Sequence, residues 1–403
     1  MSALLWKPED LLAPPIVRVY QRRFLIAGVV ASVIVIIGGF FQPRVFFRGY
    51  LISFMDWLGV ALGSMVILML RHLTKGGWGM IIRRIQGAAM RTIPLMTVFF
   101  IPLIFGARYL YIWTQPDKVS DPHLRKHLEE VSSYLSLKGF VLRALVYFAI
   151  WNLLSYLLTK WSKEQDTPPV RDNSQRFKVL SGPGIILYGF TISFAAIDWV
   201  MSLDPSWFST IYPLIILIGE VLSAFCFAIV VERVLFNYRP MSELLKPEYV
   251  HDHGKFMLTF IMVWAYFSFS QWLIIWAGDL PEEISFYLRR INGGWGWVAI
   301  ALVLFHFAMP FILLLSRPFK RDITRLVWLA VWMLFMRYVD LFWLAEANFS
   351  ETFTVTWADI AVPIAMGCLW LAYFCRNLSS MPLVPAYDSF ASEVLEPAHE
   401  HSV

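Results

Sequence analysis

Apolar runs of about 20 residues, the length a helix needs to cross roughly 30 Å of hydrocarbon, recur along this chain with short polar intervals between them. Ten such runs are present: Phe24 to Phe41, Tyr50 to Leu70, Thr92 to Trp113, Phe140 to Leu158, Pro183 to Trp199, Ile211 to Val231, Phe256 to Trp276, Trp295 to Leu315, Ile323 to Leu344 and Ala358 to Phe374. The pattern predicts an all-α integral membrane protein with ten transmembrane helices. It divides the chain into an N-terminal segment at 1–23, a ten-helix membrane domain at 24–376 and a polar, acidic tail at 377–403 carrying Pro382, Pro385 and Pro397. Lys7, Glu9, Asp10 and the Leu11 to Pro15 turn precede the first run, and no small-residue cleavage pattern follows it, so no cleaved signal peptide is expected. Two connections are longer than the rest. Asp117 to Lys138 reads as a short amphipathic helix, and Lys160 to Lys178 contains the turn-forming Thr167-Pro168-Pro169.

Composition agrees with this class: 58% of residues are hydrophobic and only 16% are charged, against about 25% charged in soluble domains. The formal net charge of +5 is spread over short loops, which excludes a nucleic-acid patch. The distribution reports orientation instead. With a cytoplasmic N-terminus, 23 of the 34 Lys and Arg residues fall on the inner side and 9 on the outer side, while Arg143 and Arg337 lie within helices. The segment Arg71 to Arg91 alone has five, and the loops around Asp204 and Glu351 have none, so both termini are expected in the cytoplasm. Cys226, Cys368 and Cys375 show no metal-ligand spacing and read as buried structural residues.

Laying runs two to five over runs six to nine gives local matches of the kind a parallel repeat requires. Gly63-Ser64 falls on Gly219-Glu220, and Leu110, Ile112 and Trp113 fall on Leu273, Ile275 and Trp276. Ala144, Leu145, Val146 and Phe148 fall on Ala301, Leu302, Val303 and Phe305, and Asp198 falls on Asp340. Either a duplication or the chance alignment of Leu- and Phe-rich helices explains these matches. A duplication predicts two four-helix bundles, 50–199 and 211–344, with one flanking helix at each end.

Ionisable groups at membrane depth are costly, so they face a bundle interior, a wet cavity or a partner. Six qualify: Asp56, Asp198, Glu220, His306, Arg337 and Asp340. Glu220 and His306 lie near mid-helix and the others toward the outer ends. Asp198 reads equally as a solvated helix end, and Arg337 with Asp340 as an intrahelical i,i+3 ion pair. Glu220 is harder to explain away, an interhelical hydrogen bond being its structural alternative, and an unpartnered buried charge costs several kcal/mol. It is therefore expected to be protonated or paired, as a proton relay requires. His306 reads as a neighbouring relay group or as a histidine bonded to a backbone carbonyl. Tyr266, Ser268, Ser270 and Gln271 give the seventh run a polar outer half, with Ser268 and Gln271 on one face. These side chains would carry ordered water or bond adjacent helices.

His251, Asp252, His253 and Lys255 open the seventh helix and His72 closes the second, and such groups at helix ends are usually solvated, so no metal site is expected. Of eight His only His306 lies well inside a helix, which argues against a haem held by this chain, and no Gly-rich phosphate loop, HExxH helix or iron–sulfur Cys cluster is present. No cofactor is expected to be ligated by this chain, and electron chemistry would use a diffusible carrier or another subunit.

The strings RHLTKGGWGMIIRR with RTIP, FAAIDWVMSLDPSWFST, SQWLIIWAGDLPEE, HFAMPFILLLSRPFKR and MRYVDLFWL together resemble the ActF-type membrane subunits of bacterial alternative complex III, which belong with the NrfD- and PsrC-like membrane proteins. The resemblance runs from about Val17 to Arg376. It implies two four-helix bundles with flanking helices, in the bacterial cell membrane, within a quinol:electron-acceptor oxidoreductase whose acceptor is a cytochrome c or a blue copper protein. It also implies as partners a paralogous NrfD-like ten-helix subunit, an iron–sulfur subunit, c-type cytochrome subunits and membrane lipids. The quinol site, for menaquinol or a related quinol, is expected on the paralogous subunit; its presence on this chain stays open. A structural scaffold within that complex and a standalone secondary transporter are the rival expectations.

Overall fold

The computed structural model describes residues 11–166 and 172–385. Lys7, Glu9, Asp10, the Thr167-Pro168-Pro169 turn and the tail from residue 386, Pro397 included, lie outside the described residues. In chain order the helices are α1 (Ile16–Phe41), α2 (Pro43–Thr74), α3 (Gly77–Met90), α4 (Ile93–Leu110), α5 (Pro122–Glu130), α6 (Leu137–Asp166), α7 (Ser174–Trp199), α8 (Tyr212–Leu235), α9 (Met241–Leu244) and α10 (Pro247–Gly278). They continue with α11 (Pro281–Ile291), α12 (Trp295–Ala301), a π-helical segment (Leu302–Ala308), α13 (Met309–Leu315), α14 (Arg317–Arg321), α15 (Ile323–Glu346) and α16 (Trp357–Leu378). Ten helical stretches are long and apolar enough to cross a membrane, and each contains all or most of one of the ten runs. The protein is a multi-pass, all-helical membrane protein.

Burial sorts these spans into centre and rim. Of the apolar stretch of α2, 89% is buried inside the protein, and of α8, 83%, whereas α1 buries 17%. The rim helices turn Ile26, Val30, Ile34, Ile186, Phe190 and Ile312 outward, as a surface facing lipid tails must. Because lipid tails are as apolar as Leu, helix association rests on close packing and on polar contacts. The α2–α8 crossing supplies the close packing. Gly59 and Gly63, four residues apart on α2, lie against Glu220 of α8, and a Cβ at Gly63 would overlap the Glu220 backbone carbonyl. The buried hydroxyls of Ser53 and Ser64 bond back to the carbonyls of Gly49 (2.6 Å) and Val60 (2.7 Å), so α2 brings no unmet donor to this contact.

Around this pair, α2 also packs against α3, α4, α7 and α16, and α8 against α7, α10 and α15; α1 lies along α16. The Leu383 amide donates to the Leu11 carbonyl at 2.7 Å, so the two ends of the described chain meet on one side. That agrees with an even number of crossings.

Helices extend past the apolar runs: α2 begins at Pro43, α6 continues to Asp166, and α10 begins at Pro247. The segment Arg71 to Arg91, read as an interval between spans, is mostly the helix α3, buried from Gly79 to Gln86 with Arg83 and Arg84 inside. These arginines can be buried because α6 brings them partners: Arg83 donates to Gln165 at 2.7 Å and Arg84 grips Asp166 at 2.6 and 2.7 Å. The expected amphipathic helix is α5, started by Asp121, which accepts from the His123 amide at 2.9 Å, and by Pro122. A second short helix, α11, was not expected. Pro281, Glu282 and Glu283 open it and Arg289 and Arg290 close it, complementing the helix dipole at both ends.

Candidate functional site

Four of the six intramembrane ionisable groups come together where α8, α10, α15 and the π segment face each other, and Asp56 of α2 lies beside them. Arg337 of α15 is the cation of this group. It forms an ion pair with Asp340 one turn on, both side chains 2% exposed, and Nη2 donates to the Ile216 carbonyl at 3.3 Å. Room for the guanidinium comes from Gly219, where any Cβ would overlap it. Arg337 lies within electrostatic range of Asp56, Glu220 and His306 as well. One guanidinium thus serves three carboxyl groups.

The carboxyls differ in their partners. Asp340 also accepts from Trp264 Nε1 at 3.0 Å, so it holds a cation and a neutral donor. Glu220, 2% exposed, accepts at Oε2 from the Tyr188 hydroxyl of α7 at 2.6 Å, and its Oε1 has no hydrogen-bond partner. Asp56 is partly exposed and lies near Tyr338 as well as Arg337.

His306 is fully buried, with its ring 4.0 Å from that of Trp264 at 52°, and neither ring nitrogen has a hydrogen-bond partner. The backbone explains its placement. Pro310, four residues on, has no N–H for the His306 carbonyl and its ring crowds that carbonyl. The helix widens there, with the Met309 amide reaching back five residues to Leu304, and such π segments mark functional sites more often than ordinary turns. His306 and Glu220 share no hydrogen bond; His306 lies against Trp264, Trp264 donates to Asp340 and Asp340 pairs with Arg337, whose charge reaches Glu220 without a hydrogen bond. The carbonyl-bonded reading of His306 does not hold here.

Asp198 is elsewhere. It lies in the first half of the chain, fully buried, and takes Arg143 Nε at 2.8 Å, Arg143 Nη2 at 2.9 Å and the Tyr147 hydroxyl at 2.8 Å. It is therefore not a solvated helix end, and one guanidinium balances one carboxylate. A single path through all six residues is not what the geometry brings together.

No known protein family and no curated protein matched this chain.

Of the expected polar lining, Gln271 is buried, accepting from Ser209 at 3.0 Å and donating to Tyr287 at 3.4 Å. Ser268 is half-buried on the stripe of Trp264, Gln271 and Ile275, between the cluster and Gln271. Ser270 is half-buried off that stripe, and Tyr266, 66% exposed, points away from the protein. Above Gln271 the helix α11 forms a cap outside the spans. Trp207 donates to the Glu283 carbonyl at 3.1 Å, Arg289 pairs with Asp204, and Arg290 donates to the carbonyls of Leu344 (2.7 Å) and Phe286 (3.1 Å) and to Asn348 (3.1 Å). Burial pushes the Arg290 guanidinium down to about 10 and the Tyr287 phenol up to about 12.

A second buried couple sits near the other end of α8. His253, expected to be solvated, is fully buried between Glu232 (Nδ1 to Oε2, 3.1 Å) and the Trp78 carbonyl (Nε2, 2.9 Å). Its neighbours at helical spacing, Met257, Ile261 and Trp264, are the signal that would have placed it inside. Among the described residues no group of three or more His, Cys, Asp or Glu is arranged to hold a metal ion.

Proposed function

We propose that this chain is a proton-handling membrane subunit of a quinol:electron-acceptor oxidoreductase of the bacterial alternative complex III type. The observation that carries the reading is charge balance at the α8–α15 cluster. Three carboxyls around one arginine, all ionised, would leave an excess of two negative charges at membrane depth, each costing several kcal/mol to desolvate. Asp340, in contact with Arg337 and Trp264, is the ionised member; Glu220, with one neutral donor, holds a proton. A carboxyl with a free oxygen and a histidine with two unbonded nitrogens, on either side of Trp264, Asp340 and Arg337, are groups between which a proton moves when water enters.

The resemblance supports the same assignment, because its strings carry part of the cluster: MRYVDLFWL carries Arg337 and Asp340, and HFAMPFILLLSRPFKR carries His306 and Pro310, while Glu220, Asp56 and Trp264 lie outside them. In this reading the two halves form two four-helix bundles with α1 and α16 flanking, and both termini are cytoplasmic in the bacterial cell membrane. Quinol oxidation proceeds on the paralogous subunit, with the iron–sulfur and c-type cytochrome subunits carrying electrons to the acceptor.

In the intact complex reconstituted in vesicles, Glu220→Gln should assemble normally and lower the protons translocated per electron. An unchanged ratio would return Glu220 to a scaffold role, which its tie from α8 to Tyr188 of α7 favours. A chain that transported solute alone, without haem or iron–sulfur partners co-purifying, would be a transporter instead.

A further inference from the structure

Above the α8–α15 cluster, on the face opposite the chain ends, lies a second set of buried acids with no part in it. Glu346, the last residue of α15, is 1% exposed; its Oε1 accepts from Arg48 Nη1 of α2 at 3.4 Å, and its Oε2 has no hydrogen-bond partner. Asp359, in the first turn of α16, is buried; its Oδ2 accepts from the Thr356 amide and hydroxyl, both at 2.7 Å, and its Oδ1 has no partner. The helices α2 and α16 meet closely at this level, since a Cβ at Gly49 would overlap the Ala358 backbone. Arg48 carries the group to the surface: its side chain is 26% exposed, and its guanidinium lies 4.6 Å from the centroid of the Phe349 ring.

Both acids lie in electrostatic range of Arg48 and of each other, so one guanidinium serves two carboxyls. Asp359, at a helix N-terminus with an amide and a hydroxyl on one oxygen, is the ionised member. Glu346, with one long contact, is the member that holds and gives up a proton. Below them the Tyr338 hydroxyl donates to the Asp359 backbone carbonyl at 2.7 Å and lies in range of Glu346 and Asp359 on one side and Asp56 on the other. Asp56, partly exposed, stands beside Arg337 of the cluster. Glu346 is eight residues from Tyr338 along α15, and Arg48 eight from Asp56 along α2, about 12 Å in each helix. The two helices therefore carry titratable groups at matched levels from the cluster to the surface. We propose that Glu346, held by Arg48, is the group from which protons leave the cluster on this face, with Asp56 as the acid that refills it and the Tyr338 hydroxyl between them; the assignment rests on the proton-handling reading above. The step is a proton transfer alone. Glu346 gives its proton to water beside Arg48, and the carboxylate takes another from Asp56 through water entering along Tyr338, with no other bond made or broken.

In the intact complex reconstituted in vesicles, Glu346→Gln should lower the protons translocated per electron to the value of Glu220→Gln, while Glu346→Asp, which keeps a carboxyl, should retain most of the wild-type ratio. A purely structural tie gives the reverse order, because glutamine still accepts from Arg48 and the shorter aspartate does not reach it; that order overturns the proposal. A wild-type ratio in Glu346→Gln beside a lowered one in Glu220→Gln overturns the exit and leaves the proposed function standing. Wild-type ratios in both variants overturn the exit together with the proton-handling role on which it rests. Arg48→Met decides the question should Glu346→Gln not assemble. Without the guanidinium the Glu346 proton leaves less readily, so the ratio should fall at an outer pH of about 7 and recover by about 9. A ratio that equals wild type at both pH values, or stays low at both, overturns the proposal.

Discussion

Asp198 and Asp340 occupy aligned positions in the two halves of the chain, and each is buried against an arginine, but the two sites are built differently. Asp198 takes its cation from another helix: Arg143 of α6 binds both carboxylate oxygens and Tyr147 adds a third donor, so the charge is closed and α6 is tied to α7. Asp340 takes its cation from its own helix, and Arg337 also faces Asp56 and Glu220. The first site is balanced one to one. The second has more acid than base, and under the proposed function protons relieve the surplus. The same residue pair thus makes a closed brace in one half and, in the other, part of a cluster with more carboxyls than cations.

The largest expected effect comes from opening the brace. Arg143→Met should destabilise the protein by about 3–5 kcal/mol, because it leaves Asp198 charged and buried without a cation; thermal unfolding in detergent measures it. Next is Gly219→Ala. The added Cβ displaces the Arg337 guanidinium, and overpacking of this kind costs about 1–3 kcal/mol; an Ala variant as stable as wild type would mean that Arg337 is held less closely than described. The smallest is Tyr188→Phe, which removes one donor from Glu220 and should cost about 1 kcal/mol in the same assay. A larger loss would make Glu220 a structural tie resembling Asp198, and the contrast between the halves would narrow.

The spans and the residues of chemical interest were legible because both follow from local properties. Twenty apolar residues mark a span, and a lone Glu220 or His306 stands out against them. Partners were not legible, since they come from far along the chain: Asp198 meets Arg143 from 55 positions away, and Glu220 meets Tyr188 from 32. For the same reason Arg83 and Arg84 read as loop cations, although Gln165 and Asp166 bury them in α3. Helix ends read short because hydropathy marks hydrocarbon depth, while α2, α6 and α10 continue beyond their apolar runs. The π segment had a local cause in Pro310, and His253 had a periodic one.

Infrared difference spectroscopy tests the contrast between the halves most directly, since a protonated carboxyl and a carboxylate absorb at separate frequencies. At neutral pH the wild type should show a protonated-carboxyl band that is reduced in Glu220→Gln, where the Asp56 share remains, and unchanged in Asp198→Asn. A band undiminished in Glu220→Gln, or one reduced in Asp198→Asn, would contradict this.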